Sequence, residues 1–265
     1  MKRFVRRHLV FFTTPLVLFL LIGGWQLYVT VSGVSHFLLP GPGAVWEALK
    51  TQVTDPFVWQ VHVKTTFYET VAGLAIGVAI GVSSGFAIGK SRLLALIIKP
   101  FLVLTQVTPK VALAPLFILW FGFDESSKIA LAAIVSFFPL MVNTAFGIQS
   151  LPQGHKDMAA SIGATKTFRF LRIELPHTMA YILAGLEQAI VLATIGAIVG
   201  EYLGGDKGLG RYALNLQNNL QIDLLFGSIV LMAAYGMVLY LAVSSLKRFL
   251  IPWHESVRLN RTETF

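Results

Sequence analysis

The sequence predicts an all-α protein that crosses a membrane about six times, and three observations support this fold class. Of its 265 residues, 55% are hydrophobic. Only 13% are charged, against about 25% in an ordinary soluble domain. Apolar stretches long enough to cross about 30 Å of hydrocarbon as helices recur along the chain, and the mean hydropathy is +0.70.

Several kinds of chemistry are excluded by the composition. The chain has no cysteine, so it can form neither a disulfide nor a thiolate metal site. Its net charge of +8 arises from short basic clusters between apolar runs, whereas a nucleic-acid-binding domain gathers such residues on one solvated face. No H-E-x-x-H pattern occurs among the six histidines, so we expect no bound metal and no catalytic site.

Six apolar stretches have the length of a transmembrane helix. They cover residues 12–33, 67–89, 93–121, 128–149, 177–203 and 224–246. The first is too long for a signal peptide, which predicts a retained anchor. The third contains Pro100, Pro109 and Pro115, so we expect a kinked or broken pair of segments packed inside the bundle.

The distribution of basic residues predicts that both termini are cytoplasmic. With the N-terminus inside, the larger group of basic residues falls on the cytoplasmic side: Lys2, Arg3, Arg6, Arg7, Lys90, Arg92, Lys156, Lys166, Arg169, Arg172, Lys247, Arg248, Arg258 and Arg261. The smaller group falls outside: Lys50, Lys64, Lys128, Lys207 and Arg211. Cytoplasmic loops carry such an excess of lysine and arginine.

Domain organisation follows from this topology. Residues 1–265 are predicted to form a single transmembrane domain, whose longest cytoplasmic connection covers about residues 150–176. Two external segments, about 34–66 and 204–223, mix turn residues with an amphipathic helical pattern.

The stretch DMAASIGATKTFRFLRIELP, residues 157–176, is a polar segment between two apolar spans. Asp157 suits a helix start. Thr165 or Thr167 suits the start of a second short helix, and Pro176 is expected to reset the chain before the fifth span.

Small residues recur in the first half of this stretch. Ala159, Ala160, Gly163 and Ala164 are expected to share one flat helix face that another backbone can approach closely. From the residues alone, this pattern fits equally well a helical hairpin packed on its own bundle or a docking surface for a soluble partner.

The stretch GFAIGKS, residues 85–91, superficially resembles a phosphate-binding loop. Only three residues separate Gly85 from Gly89, whereas a phosphate loop has four and links a strand to a helix. We therefore predict close helix packing through a series of glycines at every fourth position, which are Gly77, Gly81, Gly85 and Gly89.

Polar residues inside the apolar spans are candidates for a substrate pathway, because such side chains are costly in a membrane and usually face a cavity or a partner. The candidates are Thr105, Gln106, Thr108, Asn143, Glu187 and Gln188. An alternative for Glu187 is a structural pair with Lys99 or Lys110.

Residues 157–176 resemble the "EAA" loop of binding-protein-dependent ATP-binding cassette (ABC) importer permeases, whose pattern is E-A-A, three residues, G, nine residues, I-x-L-P. Asp157, Ala159, Gly163, Ile173, Leu175 and Pro176 occur at those spacings. Asp157 replaces the family's glutamate and Met158 its first alanine. The stretches LLPGPGAVWEAL, TPKVALAPLFILWFGFDESSKI and GEYLGGDKGLGRYALN resemble the nitrate/sulfonate/taurine-type branch.

The resemblance implies a type I ABC importer permease in a bacterial inner membrane, with no catalytic residue of its own. The expected partners are a second copy of this chain, two copies of an ATPase subunit that bind ATP and Mg²⁺, and a periplasmic or lipoprotein binding protein. The expected substrate is a small polar or anionic nutrient of the sulfonate, taurine, nitrate or vitamin-precursor type.

The resemblance also implies which residues meet the ATPase subunit: Asp157, Met158, Ala159, Ala160, Gly163, Ala164, Ile173, Leu175 and Pro176. The alternative function is an ion-coupled secondary transporter, in which Glu187 and buried lysines would form the coupling site and residues 157–176 would be an ordinary connector.

Overall fold

The computed structural model describes residues 2–251, with the side chains of residues 2–12, 14, 103, 105 and 106 excepted. Its long helices are α1 (Lys2–Ser32), α3 (Lys64–Lys90), α6 (Glu125–Gln149), α9 (Leu175–Gly204) and α11 (Ile222–Leu250). The shorter ones are α2 (Pro42–Thr54), α4 (Arg92–Val107), α5 (Ala114–Phe121), α7 (Gln153–Ser161), α8 (Lys166–Arg169) and α10 (Leu209–Asn218). No strand occurs within residues 2–251, which confirms the predicted fold class.

Five of these helical stretches are long and apolar enough to cross a membrane. The third predicted span is instead two short helices, α4 and α5, joined by a 3₁₀ turn at Lys110–Leu113. The predicted break is confirmed, and its cause is Pro109, which cannot continue the hydrogen-bond ladder of α4.

The expectation that this broken span packs inside the bundle is wrong for the single chain. Leu96, Phe101 and Leu104 of α4 are each more than half exposed, and so is Trp120 of α5. The core of the bundle consists instead of α3, α6 and α9, with α11 and α2 packed against each other at its side.

The α3–α6 contact is a series of glycines, as the sequence predicts. A β-carbon added to Gly81 would lie 2.8 Å from the Phe137 carbonyl oxygen and 2.9 Å from the Leu140 β-carbon. Added β-carbons at the other predicted members, Gly77, Gly85 and Gly89, would collide with α6 in the same way, and so would one at Gly73, one turn earlier. The two backbones are therefore closer than any larger residue would allow.

A neighbouring face of α6 packs against α9 in the same way, through glycines. β-Carbons added to Gly185, Gly196 and Gly200 would approach side chains or backbone of α6 within about 3.0 Å. Helix α6 is therefore enclosed on two sides, and Leu131, Leu140 and Ala132 are almost completely buried.

The first prediction concerns this contact. Replacing Gly81 by alanine would stabilise an isolated helix by up to about 1 kcal/mol, but overpacking a tight contact costs about 1–3 kcal/mol. We therefore expect Gly81→Ala to lower the midpoint of thermal unfolding of the detergent-solubilised protein by a few degrees. Gly24→Ala is the control, because its new β-carbon meets nothing within 4 Å. Equal midpoints for both variants would contradict the proposed packing constraint.

Candidate functional site

The polar segment 157–176 contains a helix that begins and ends at other positions than those predicted. Helix α7 starts at Gln153, so Asp157 lies in its second turn, where its Oδ1 accepts a hydrogen bond of 2.8 Å from Gln153 Nε2. The interpretation of Asp157 as a helix start is wrong, because Pro152 already sets the extended backbone that precedes the first turn.

Gly163 ends α7 and does not extend its flat face. Its φ of +61° is in the left-handed region. The N–H groups of Gly163 and Ala164 donate to the carbonyls of Ala160 and Ala159, each over 3.0 Å. This is the capping pattern of a helix C-terminus, where glycine is favoured because it has no β-carbon. Any L-residue at position 163 would therefore be strained by its backbone, although the space around the glycine is open.

The second half of the segment continues without interruption into α9. Thr165 caps α8 by accepting a hydrogen bond from the Phe168 N–H over 3.2 Å, as predicted. A π-helical turn, Phe170–Glu174, then joins α8 to α9. The expected reset at Pro176 is wrong, because the wider turn accommodates the proline ring and its missing N–H.

Large apolar side chains are exposed along this segment. Met158 is 52% exposed and Ile162 is 63% exposed, while Ala159 beside them is buried by the chain itself. Phe168 and Leu171 of the following turns are about half exposed. The surface that α7 offers is therefore an apolar projection of Met158 and Ile162, where the sequence predicted a flat face of small residues.

Among the pathway candidates, Glu187 has a defined partner. Its Oε2 lies 3.0 Å from Lys247 Nζ of α11, and both side chains are less than one-fifth exposed. Lys110 lies over the ring of Phe138 at 5.2 Å, and Lys99 is exposed. The pair joins α9 to α11 and involves neither lysine that the sequence suggested.

The other candidates lie on three separate helices. Asn143 is half-buried beside Gly185 and donates to the Pro139 carbonyl within α6. Gln188 is exposed on α9, and Thr108 is exposed at the end of α4. The side chains of Thr105 and Gln106 lie outside the part that the structure describes.

A second buried polar cluster lies at the end of the bundle that carries α10. Glu201 Oε1 accepts from Thr66 Oγ1 over 2.6 Å, and its Oε2 accepts from the Gly210 N–H over 2.7 Å. Glu69 is 2% exposed and lies beside Glu201 in this cluster. Gly208 has no room for a β-carbon, because the Glu201 carboxyl group occupies that space.

Lys128 completes this cluster. It is 2% exposed, and its Nζ donates to the carbonyls of Phe123, Asp124 and Gly204. The ammonium group thereby ties the α5–α6 connection to the end of α9. In the sequence, the only sign of this buried cluster is that Glu201 precedes the G-L-G stretch, residues 208–210, by a few residues. That spacing does not reveal that Glu69 and Lys128 belong to the cluster.

Within the described residues, no group of three or more histidine, aspartate or glutamate side chains is arranged to hold a metal ion.

Comparison with known proteins identifies the family. Residues 77–255 match the family described as "Binding-protein-dependent transport system inner membrane component". The chain is 33% identical over 246 residues to a riboflavin transport system permease protein of Chloroflexus aurantiacus, which covers 91% of this chain and 90% of the relative. It is 31% identical over 239 residues to a putative aliphatic sulfonates transport permease protein of Escherichia coli, covering 90% of each.

A solved structure shares the fold. The inward-facing MetNI methionine ABC transporter superposes with a TM-score of 0.61 at 16% identity, covering 74% of this chain and 98% of that chain. The family match covers more than half of the described fold, including α6, α7 and α9. This chain therefore belongs to the binding-protein-dependent transport system inner membrane components, and it is a multi-pass permease subunit of an ABC importer.

Proposed function

We propose that this permease acts as a homodimer that carries a small polar or anionic nutrient inward, powered by a separate ATPase subunit that docks on α7 of each copy. ATP and Mg²⁺ belong to that subunit, and a soluble binding protein delivers the substrate. Both termini and the α7 end of the bundle face the cytoplasm, as the basic residues indicate.

The apolar projection on α7 carries this proposal. The mean hydropathy of α7 is too low for a membrane helix, yet Met158 and Ile162 are more than half exposed. Exposed apolar side chains with a polar rim mark protein contact sites. The left-handed turn at Gly163 fixes the end of α7 relative to α8, so a partner that displaces α7 also displaces the start of α9.

The second prediction tests this docking surface. Ile162→Asp places a charge where an apolar side chain would be buried by the partner, so we expect the permease to lose its ATPase subunit on affinity purification. The side chain is 63% exposed, so folding of the chain itself should change little. The loss is expected to be at least about ten-fold, since burying an unpaired charge costs several kcal/mol.

Leu220→Asp is the matched control. Leu220 is 68% exposed at the other end of the bundle, and its φ of 57° is a conformation that aspartate tolerates well. This variant should retain the ATPase subunit. Retention of the subunit by Ile162→Asp at the control level would refute α7 as its docking site.

The broken span supports a second copy as partner. The turn between α4 and α5 interrupts the helical ladder, and non-helical backbone at membrane depth is stable only against protein or a water-filled cavity. In the single chain α4 and α5 expose much of their apolar surface. A second copy that covers this face would shield the turn and form the pathway between the two copies.

The relatives are named for different solutes, which supports the view that a separate binding protein, and not the permease, selects the substrate. One is named for riboflavin and another for aliphatic sulfonates, at nearly equal identity to this chain. The same permease fold therefore serves chemically different solutes, and we propose that the binding protein selects the substrate here.

The third prediction concerns energy coupling. Vesicles that contain the permease, its ATPase subunit and its binding protein should take up one of taurine, ethanesulfonate, nitrate or riboflavin only when MgATP is supplied on the ATPase side. Vanadate, which traps such ATPases, should abolish uptake. Uptake by the permease alone, driven by a proton or sodium gradient, would instead establish the ion-coupled transporter.

The fourth prediction concerns Glu187, which we propose acts as an interhelical pair and not as a substrate ligand. Removing one partner of a partly buried pair leaves a charge without its partner, at a cost of about 1–3 kcal/mol. Glu187→Gln and Lys247→Met should each lower the unfolding midpoint, and the double variant should lose less than the sum. Loss of uptake by Glu187→Gln at an unchanged midpoint would assign Glu187 to the pathway.

A further inference from the structure

Lys90 connects two parts of the fold that are far apart in the sequence. It is the last residue of α3, and its Nζ lies 2.7 Å from Oε2 of Glu174 in the π-helical turn before α9. The other carboxyl oxygen of Glu174 accepts a hydrogen bond of 2.9 Å from Arg169 Nε. Glu174 is 7% exposed, so this ion pair is formed by a nearly buried carboxylate.

Aromatic contacts reinforce the connection. The Lys90 ammonium group lies 4.5 Å from the ring centre of Phe170, and the Phe170 ring meets the Phe86 ring edge to face at 5.2 Å. A cation over an aromatic face is attracted by the ring quadrupole. A lysine in the last turn of a helix also faces the negative end of the helix dipole. Lys90 is therefore held by three favourable interactions at one place.

The two charged partners are not equivalent. The Lys90 side chain is 43% exposed, while the Glu174 side chain is 9% exposed. Without Glu174, the ammonium group can be solvated. Without Lys90, the buried carboxylate retains only Arg169, and a buried charge that lacks part of its compensation is costly. Removing either residue breaks the ion pair, but only removal of Lys90 leaves a nearly buried charge without one of its partners.

The position of this contact relates it to transport. Displacement of α7 reaches α9 along the chain, through the turn at Gly163, α8 and the π-helical turn. The displacement reaches α3 only through contacts between helices, because α4, α5 and α6 separate α3 from α7 in the sequence. The glycine contact holds α3 to α6 as far as Gly89 in its last turn, and Lys90 adds a contact between that turn and the π-helical turn before α9.

We propose that Lys90 is a positioning residue for transport, which makes the base of α9 and the last turn of α3 move as one body when the ATPase subunit displaces α7. This inference rests on the proposed docking of that subunit. Lys90 acts through Glu174 and Phe170, and it need not touch the substrate or the ATPase subunit.

The fifth prediction tests this role by spin-label distance measurements on the full complex. The chain has no cysteine, so Ala87→Cys on α3 and Arg172→Cys in the π-helical turn, both exposed, can carry the two labels. The ATPase subunit is used in a cysteine-free form, and labelled chain is diluted with unlabelled chain. The probe is MgATP with vanadate, so no substrate is needed.

In the otherwise unmutated chain we expect one narrow distance that stays unchanged when nucleotide is added. In Lys90→Met the distribution should be at least about two-fold broader and should shift with nucleotide, because the turn is no longer held to α3. Lys90→Arg keeps the charge and the contact with the Phe170 ring, so it should restore the narrow distance. A narrow, unshifted distance in Lys90→Met would overturn the inference.

Lys50→Met is the matched control. Lys50 pairs with Glu47 at 2.8 Å and lies 5.5 Å from the ring centre of Trp46, on α2 and away from α7. Broadening by this variant equal to that of Lys90→Met would also overturn the inference. If the unmutated permease does not retain the ATPase subunit, the proposed function fails and this inference fails with it. If the subunit is retained and Lys90→Met matches the unmutated chain, only this inference fails.

Discussion

The close contact of α3 with α6 is the constraint on which the rest of the structure depends. In a membrane the hydrophobic effect does not drive helices together, so association relies on van der Waals packing and on residues small enough to let backbones approach. Glycines at every fourth position of α3 supply this along one face, from Gly73 to Gly89. Because α6 packs closely against both α3 and α9, its position fixes the register of these two helices. It thereby also fixes where the connections at either end of the bundle lie.

The polar groups are concentrated where this packing ends. At the α10 end, Glu201 and Lys128 join the termini of three helices through hydrogen bonds to backbone groups. At the α7 end, Glu174 joins the base of α9 to α3 through Lys90. A buried charge is tolerated at these sites because each one has several partners. The apolar contact thus holds the middle of the bundle, and the ionic contacts hold its two ends.

The segment that differs most from this compact core is the one that we propose meets the ATPase subunit. Helix α7 is short and polar, and its exposed apolar side chains lie beside a left-handed glycine turn. In the isolated chain nothing covers this apolar surface, whereas the buried polar groups described above have partners within the chain. The exposed face of α4 and α5 has the same character, and in our proposal both surfaces are covered by partners.

The sequence by itself determined the features that depend on local composition. Apolar stretches of transmembrane length, the proline break of the third span, the glycine series of α3 and the EAA-like spacing are all linear patterns, and they sufficed to predict the fold class and the family. The helix cap at Thr165 was predictable for the same reason, since capping is a contact between near neighbours.

Only the tertiary structure decided which distant groups meet. The pairing of Glu187 with Lys247, the burial of Glu69 against Glu201 and the contact of Lys90 with Glu174 each join residues of different helices. The left-handed backbone of Gly163 was also missed, because a glycine among alanines fits a helix interior as well as a helix end. Residue types limit how each helix can pack, but the rotation and register of neighbouring helices decide which side chains come together.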